Sequence, residues 1–171
     1  MTKNYNPSSY KDPSGRIFET SNNNYIFREL SPSGNKRYSE IGNNNEFINL
    51  KKNGEIIYTE RSNDFENQFV LLHKKLPFIT YPYEWSFDQL KDAAIFHINL
   101  QKTLLKNNIS FVDSSAYNIQ FNLNKPVLID VLSLKKYQEN ELWLVKKYFK
   151  FKLLAFNIIS ILRRNSSIII F

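Results

Sequence analysis

The sequence predicts an α+β fold, with a small β-rich lobe over residues 16–75 and a helical lobe over residues 76–143. Three observations predict it. Two apolar segments, Arg16–Thr20 and Tyr25–Leu30, flank Ser21-Asn22-Asn23-Asn24 near the start of the chain. One long helix opens at Ser86 and is apolar around most of its circumference. A second hairpin follows, with Ile119-Gln120-Phe121 and Val127–Val131 on either side of Asn122-Leu123-Asn124-Lys125.

Composition agrees with a packed domain. The 171 residues are 42% hydrophobic and 23% charged, an ordinary globular balance. Aromatics at 15% predict a core rich in Phe and Tyr. Without cysteine there is neither disulfide nor thiolate metal site, which fits a reducing compartment. The first residues carry no apolar signal segment, and no run approaches the roughly 20 apolar residues that a membrane span needs. A cytoplasmic protein without a membrane partner is therefore expected. The net charge of +7 favours anionic partners, but the cations come as scattered pairs such as Lys51-Lys52 and Lys146-Lys147. They form no basic stripe, so a nucleic-acid partner is not expected.

The elements follow in order. Residues 1–15, with Pro7, Pro13 and Gly15, read as a flexible arm. The Asn run between 16–20 and 25–30 suits a hairpin, because Asn tolerates positive φ. Residues 31–46 are rich in Ser, Asn and Gly and read as loop. Phe47–Lys52 is either a helix ending at Gly54 or a strand turning at Asn53-Gly54, and 55–59 reads as a strand. Residues 64–75 read as a short helix with Phe65, Phe69, Leu72 and Val70 inward. Pro77 and Pro82 keep the next segment extended.

Ser86 and Gln89 form a capping-box pair, and Asp88 suits the positive end of the helix dipole. The helix should run to about Lys106 and stop at Asn107-Asn108. Asp88, Asp92, Asn99, Thr103 and Lys106 fall on one narrow face, so it is a core helix. His97 lies in the apolar arc and reads as a buried, hydrogen-bonded histidine. His73 beside Lys74-Lys75 is given no catalytic role either. Pro126 opens the last strand, where a missing donor does little harm. Asp113, Asn118 and Asp130 surround this second hairpin. Such residues either close turns through side-chain-to-backbone bonds or bind something.

This order of parts resembles the core of the protein-kinase-like fold, including small-molecule kinases of the aminoglycoside phosphotransferase type. There the loop Asp orients or deprotonates the acceptor hydroxyl, while the loop Asn and the later Asp hold magnesium on the nucleotide phosphates. Carried over, the resemblance implies Asp113 as the catalytic group, Asn118 and Asp130 as metal ligands, and Mg and ATP as cofactors. Arg28 would substitute for the phosphate-binding Lys, and Glu84 is a candidate nucleotide-contacting acid. Tyr81, Tyr83 and Trp85 either line such a pocket or, as favoured here, pack on the core helix.

The chain departs from the kinase pattern at several points. Phe111 stands where kinases commonly have His, Val131-Leu132 follow Asp130, and no glycine-rich loop exists.

The segments LPFITYPYEWSFDQLKDAAIFHINL, FVDSSAYNIQF and PVLIDVLS also resemble the N-terminal region of bacterial proteins identified as SAM-dependent methyltransferases, some of them linked to nodulation. That resemblance runs from about Asp12 to about Trp143. In that family the methyltransferase part lies beyond this region, and no glycine follows Gly54 to build a SAM-binding turn. The implied organisation is a kinase-like domain at 16–143 followed by a divergent or truncated C-terminal helix at 144–171. Its expected partners are a nucleotide and either a separate methyltransferase chain or a second copy. The opposite reading is a catalytically inactive remnant or interaction domain.

Overall fold

Arg16–Glu19 and Tyr25–Leu30 carry consecutive apolar residues, Ile17-Phe18 and Tyr25-Ile26-Phe27, and such short apolar runs build the centre of a sheet. The computed structural model describes residues 2–21, 24–65 and 68–138. Five antiparallel strands run β1 (Asn4–Tyr5), β2 (Gly15–Glu19), β3 (Tyr25–Leu30), β4 (Thr59–Arg61) and β5 (Val70–Lys74), in the spatial order β1-β2-β3-β5-β4. Register places Phe18 opposite Phe27 and Phe27 opposite Leu72, so these rings share one face and stack at 5.4 Å. The pairs Ile17–Arg28, Arg28–Leu71 and Ile26–His73 share the other face, which turns toward the main core.

Burial on both faces explains the segment expected as a helix at 64–75. Val70 packs with Phe18 and Phe27, while Leu71 packs in the opposite core. A strand covered on both sides reads as a continuous apolar run, which periodicity alone does not separate from a helix.

The expected loop at 31–46 is corrected as well. It forms α1 (Pro32–Ile41) and the start of α2 (Asn45–Lys52). Ser31 caps α1 by accepting the Gly34 N–H, and Pro32 occupies the first turn, where its missing N–H does no harm. Only Gly34, Tyr38 and Ile41 of α1 are buried, too sparse a stripe to show in the sequence. Asn44 caps α2 through the N–H groups of Glu46 and Phe47, and Lys51 and Lys52 sit at its negative end. Phe47–Lys52 is thus helical.

The strand expected at 55–59 lies instead at 59–61. Ile56 forms a bridge to Leu128, Ile57 N–H donates to Leu128 O at 2.8 Å, and Leu128 N–H donates to Glu55 O at 2.9 Å. These bonds join the first lobe to the second hairpin.

Residues 2–15, expected as a flexible arm, are docked. β1 pairs with β2, and a 3-10 turn at Pro7–Ser9 is capped by Asn6. Pro13 O accepts the Ser31 hydroxyl and Ser14 O accepts the Ser31 N–H, which pins the arm to the start of α1.

In the second lobe α3 (Phe87–Lys106) has the expected Ser86–Gln89 capping box. It buries Ala93, Ala94, His97, Leu100, Gln101 and Leu104, while Phe87 remains exposed. Trp85 clusters with Ala93 and Leu90 of α3, the role favoured for it, and packs edge-on against Phe121 at 5.2 Å, whereas Tyr81 and Tyr83, expected to pack likewise, are exposed. β6 (Ile109–Phe111) pairs with β9 (Leu134–Lys136), and β7 (Ile119–Asn122) pairs with β8 (Lys125–Leu128) through the turn Leu123-Asn124. Leu123 adopts φ 58° and is almost fully exposed, so the turn contributes geometry rather than burial. No helix among the described residues is long and apolar enough to cross a membrane. The expected C-terminal helix at 144–171 lies outside the described residues.

The contact between the arm and α1 is testable. A Cβ at Gly34 would lie 2.0 Å from Ser14 O, a backbone atom that cannot move without shifting the arm. Gly34→Ala should therefore cost about 2 kcal/mol, as overpacking does, and lower the midpoint of urea denaturation. An unchanged midpoint would show that the arm does not pack on α1.

Candidate functional site

Arg28 is placed by its strand. Its neighbours on β3, Phe27 and Glu29, face the outer layer, so Arg28 must face the interior. Its side chain is 8% exposed. A buried guanidinium needs compensating charge, and two separate segments supply it. Nη1 donates to Asp130 Oδ1 at 2.6 Å across 102 residues of sequence, and Nη2 donates to Asp12 Oδ2. Burial works against the Arg28 charge, but Asp130 and then Asp12 outweigh it and hold the pKa above the ordinary arginine value. Nε–H of Arg28 is buried with no acceptor among the described residues.

Asp130 leaves the apolar strand β8 just past Leu128. Its Oδ1 also accepts the Leu132 N–H at 3.0 Å, capping a 3-10 turn at Val131–Ser133. Asp130 therefore caps a turn and pairs with Arg28 through the same oxygen.

Asp113 and Asn118 lie between β6 and β7. Asn118 donates through Nδ2 to Asp113 O at 3.3 Å, which leaves Oδ1 as the side-chain atom available to a ligand. Asn118 O accepts the Ile129 N–H at 2.8 Å, so this loop is fixed directly beside the strand end that carries Asp130.

Ser133 completes the fixture. Its hydroxyl donates to Asp130 O at 2.6 Å, and its carbonyl accepts the N–H groups of Val112 at 2.6 Å and Asp113 at 3.3 Å. One serine thus ties the Asp113 loop to the Asp130 turn. Arg37 of α1 donates to Leu132 O at 2.9 Å and to Ser14 Oγ at 3.3 Å, adding a link back to the arm.

Four of the five predicted residues, Arg28, Asp113, Asn118 and Asp130, are therefore joined through one continuous set of bonds. Glu84 stands apart in its bonding: it lies in a 3-10 turn at Pro82–Glu84 and accepts the Tyr81 N–H at 2.7 Å. The rings of Tyr81 and Tyr83 stack at 5.5 Å, and Tyr81 lies 6.4 Å from Tyr117, next to Asn118.

Sequence reading missed Asp12 and Ser133. Asp12-Pro13-Ser14-Gly15 is a turn sequence, and Asp12 Oδ1 does accept the Ser14 N–H at 2.8 Å. That signal locates a turn but not its distant partner. Ser133 has no local signal at all.

Two cavities stand out, of about 320 and 880 Å³. Neither is lined by Arg28, Asp113, Asn118 or Asp130. The smaller lies between α1, α2 and β4, while the larger lies between the sheet and the second hairpin, lined by Tyr25, Ile57, Lys74, Leu76, Asn122 and Val127. Among the described residues no group of three His, Cys, Asp or Glu is arranged to hold a metal ion. A cation here would rest on one carboxylate and one amide oxygen, with the remaining ligands from solvent or substrate.

No family model matches the chain. It is 34% identical to the nodulation protein NoeA of Rhizobium meliloti (strain 1021) over 148 residues, covering 82% of the chain and 30% of NoeA. Vaccinia related kinase 3 superposes with a TM-score of 0.55 at 11% identity, covering 79% of the chain and 48% of that structure. WbdD gives a TM-score of 0.55 at 14% identity, with 90% and 37% covered. The Cydia pomonella granulovirus kinase PK-1 gives 0.51 at 14% identity, with 80% and 51% covered. The fold is therefore kinase-like, and the chain spans about half or less of the solved kinases it matches and under a third of NoeA.

Two histidines near this region are held neutral. His97 stacks on Phe111 at 4.2 Å, and burial pushes its pKa down to about 4. His73 meets Thr59 Oγ1 at 2.9 Å; burial, then the Arg28 charge, lowers it to about 3. Unfolded histidine titrates near 6.5. Their depressed folded values leave stability complete above pH 6.5 and remove it as pH falls toward 4 and then 3. Urea denaturation should show a loss of about 2 kcal/mol per histidine between pH 7.5 and pH 5. His97→Gln should flatten that dependence, and an unchanged slope would contradict the burial of a neutral His97.

Proposed function

We propose that the chain is a kinase-like module that binds a magnesium-nucleotide complex between the sheet and the second hairpin. The observation that supports this most is the meeting of Arg28 with Asp130 at 2.6 Å, beside the loop that holds Asp113 and Asn118. Arg28 is a fixed cation on the inner face of β3, suited to phosphate oxygens by its planar fork of donors. Asp130 and Asn118 offer one carboxylate and one neutral oxygen, the hard donors that Mg²⁺ takes along with water and phosphate. When bound, the ion would neutralise charge on the transferring phosphates. Asp113, four residues from the exposed Tyr117, would stand nearer an acceptor hydroxyl and orient it. Glu84 would contact the nucleotide from the connector. On this reading phosphoryl transfer is the activity, no SAM site lies in the chain, and methyl transfer falls to another segment or partner.

A second reading has its own support. Arg28 already holds two carboxylates, and Asp130 already caps a turn. A domain satisfied in this way would serve as an interaction module without chemistry.

A thermal-shift titration separates the two. With Mg²⁺ at a ligand concentration a hundredfold above Kd, ATP should add about 2.7 kcal/mol of stability. Asp130→Asn should lose most of the shift, Asn118→Ala part of it, and Asp113→Asn little, although Asp113→Asn should abolish any phosphoryl transfer. A folded wild type without a magnesium-dependent shift at millimolar ATP would decide for the interaction module.

A further inference from the structure

Arg28 carries more than the proposed nucleotide site requires of it. Asp130 is the partner expected from the hairpin, but Asp12 comes from the opposite direction, out of the connection between β1 and β2. We propose that Asp12 is a resident occupant of the anion position on Arg28 and that the phosphate chain of a nucleoside polyphosphate takes its place on binding. This inference rests on the nucleotide reading above.

Three features support the exchange. First, the guanidinium is not used to capacity. Each carboxylate engages it through a single oxygen, and the buried Nε–H has no acceptor among the described residues. A phosphate group brings three oxygens to a fork of five donors and can satisfy more of them than Asp12 does. Second, the two partners of that bond differ in cost of release. The Asp12 side chain is 26% exposed against 8% for Arg28, so Asp12 can return to water while Arg28 cannot. Third, the arm does not depend on the Asp12–Arg28 contact for its anchorage. Ser14 O holds the Ser31 N–H at 3.1 Å, and Pro13 O holds the hydroxyls of Ser31 at 2.8 Å and Ser33 at 3.3 Å. Displacement therefore needs only the Asp12 side chain to turn, giving up its bond to the Ser14 N–H, with the backbone left on α1.

Electrostatics sets the direction of the effect. Two carboxylates on one guanidinium leave net negative charge where a polyphosphate must approach. Asp12 thus competes with the ligand by charge as well as by place, and a bound divalent cation relieves part of that competition. The contrary role is a positioning one, in which Asp12 holds Arg28 ready for the ligand and its loss weakens binding.

Isothermal titration calorimetry on the full chain with sodium tripolyphosphate and with Mg-ATP tests this. Asp12→Asn keeps the side-chain oxygen that accepts the Ser14 N–H and removes the charge. It should bind both probes about tenfold more tightly than wild type. Equal or weaker binding by the folded variant would overturn the proposal and, if wild type binds Mg-ATP, would leave the nucleotide reading standing. No binding of either probe to either protein would overturn both. An independent readout uses the wild-type chain: the ¹⁵N resonance of Arg28 Nε–H should shift on addition of tripolyphosphate, and a static resonance at saturation would contradict the exchange.

Discussion

The clamp of Arg28 between Asp12 and Asp130 is the constraint on which the rest of the arrangement depends. A guanidinium 8% exposed is costly to bury. It persists because β3 has Phe27 committed to one layer, which leaves position 28 no other direction. The two carboxylates come to it on segments that have anchors of their own: Asp12 on the β1–β2 connection, which Ser31 also holds, and Asp130 at the end of β8. Buried ion pairs are weak evidence for net stability, since apolar residues of similar volume often serve as well. Their better-attested value is specificity of arrangement, and here that arrangement joins the sheet to the hairpin.

Backbone bonds take over where the clamp ends. Ile57 and Glu55 zip onto Leu128, just before Asp130, so the hairpin is held to the first lobe on a second line. Ser133 then fixes the Asp113 loop to the same turn. Position 130 is rigid for reasons independent of any ligand, which is the condition a binding constellation needs. The same rigidity serves an interaction module equally well, which is why ligand binding rather than geometry separates the two functional readings.

The legible parts of the fold were those encoded locally. The capping box at Ser86, the apolar arc behind it and the turn at 122–125 each declare themselves within a few residues. The kinase-like order of parts followed from them. Three segments failed for physical reasons. β5 is buried on both faces and lost its alternation. α1 contributes only three buried positions, so its Ser-Pro start was read as loop when it is a cap followed by a first-turn proline. The arm looked polar because its anchors are polar groups of Ser31, Ser33, Arg28 and Arg37, together with the backbone of β2. The site followed the same rule. Asp113, Asn118 and Asp130 stand out by their spacing around one hairpin, while the roles expected of them and the choice of Arg28 rest on the resemblance to the kinase-like fold. Asp12 and Ser133 act through residues roughly 16 and 20 positions away or more, and no local pattern announces that.

The clamp itself is open to direct measurement by a double-mutant cycle on Arg28 and Asp130. Arg28→Met, Asp130→Asn and the double variant would be compared with wild type by urea denaturation at pH 7. Asp130→Asn keeps a side-chain oxygen for the Leu132 N–H, and any change to that cap is common to both variants of Asp130 and cancels in the cycle. Mutual dependence across the two lobes predicts a coupling energy of about 1.5 kcal/mol or more, within the range of directly contacting pairs. Additive effects, within about 0.5 kcal/mol, would contradict the clamp and with it the assembly of Asp130, Asn118 and Asp113 around Arg28.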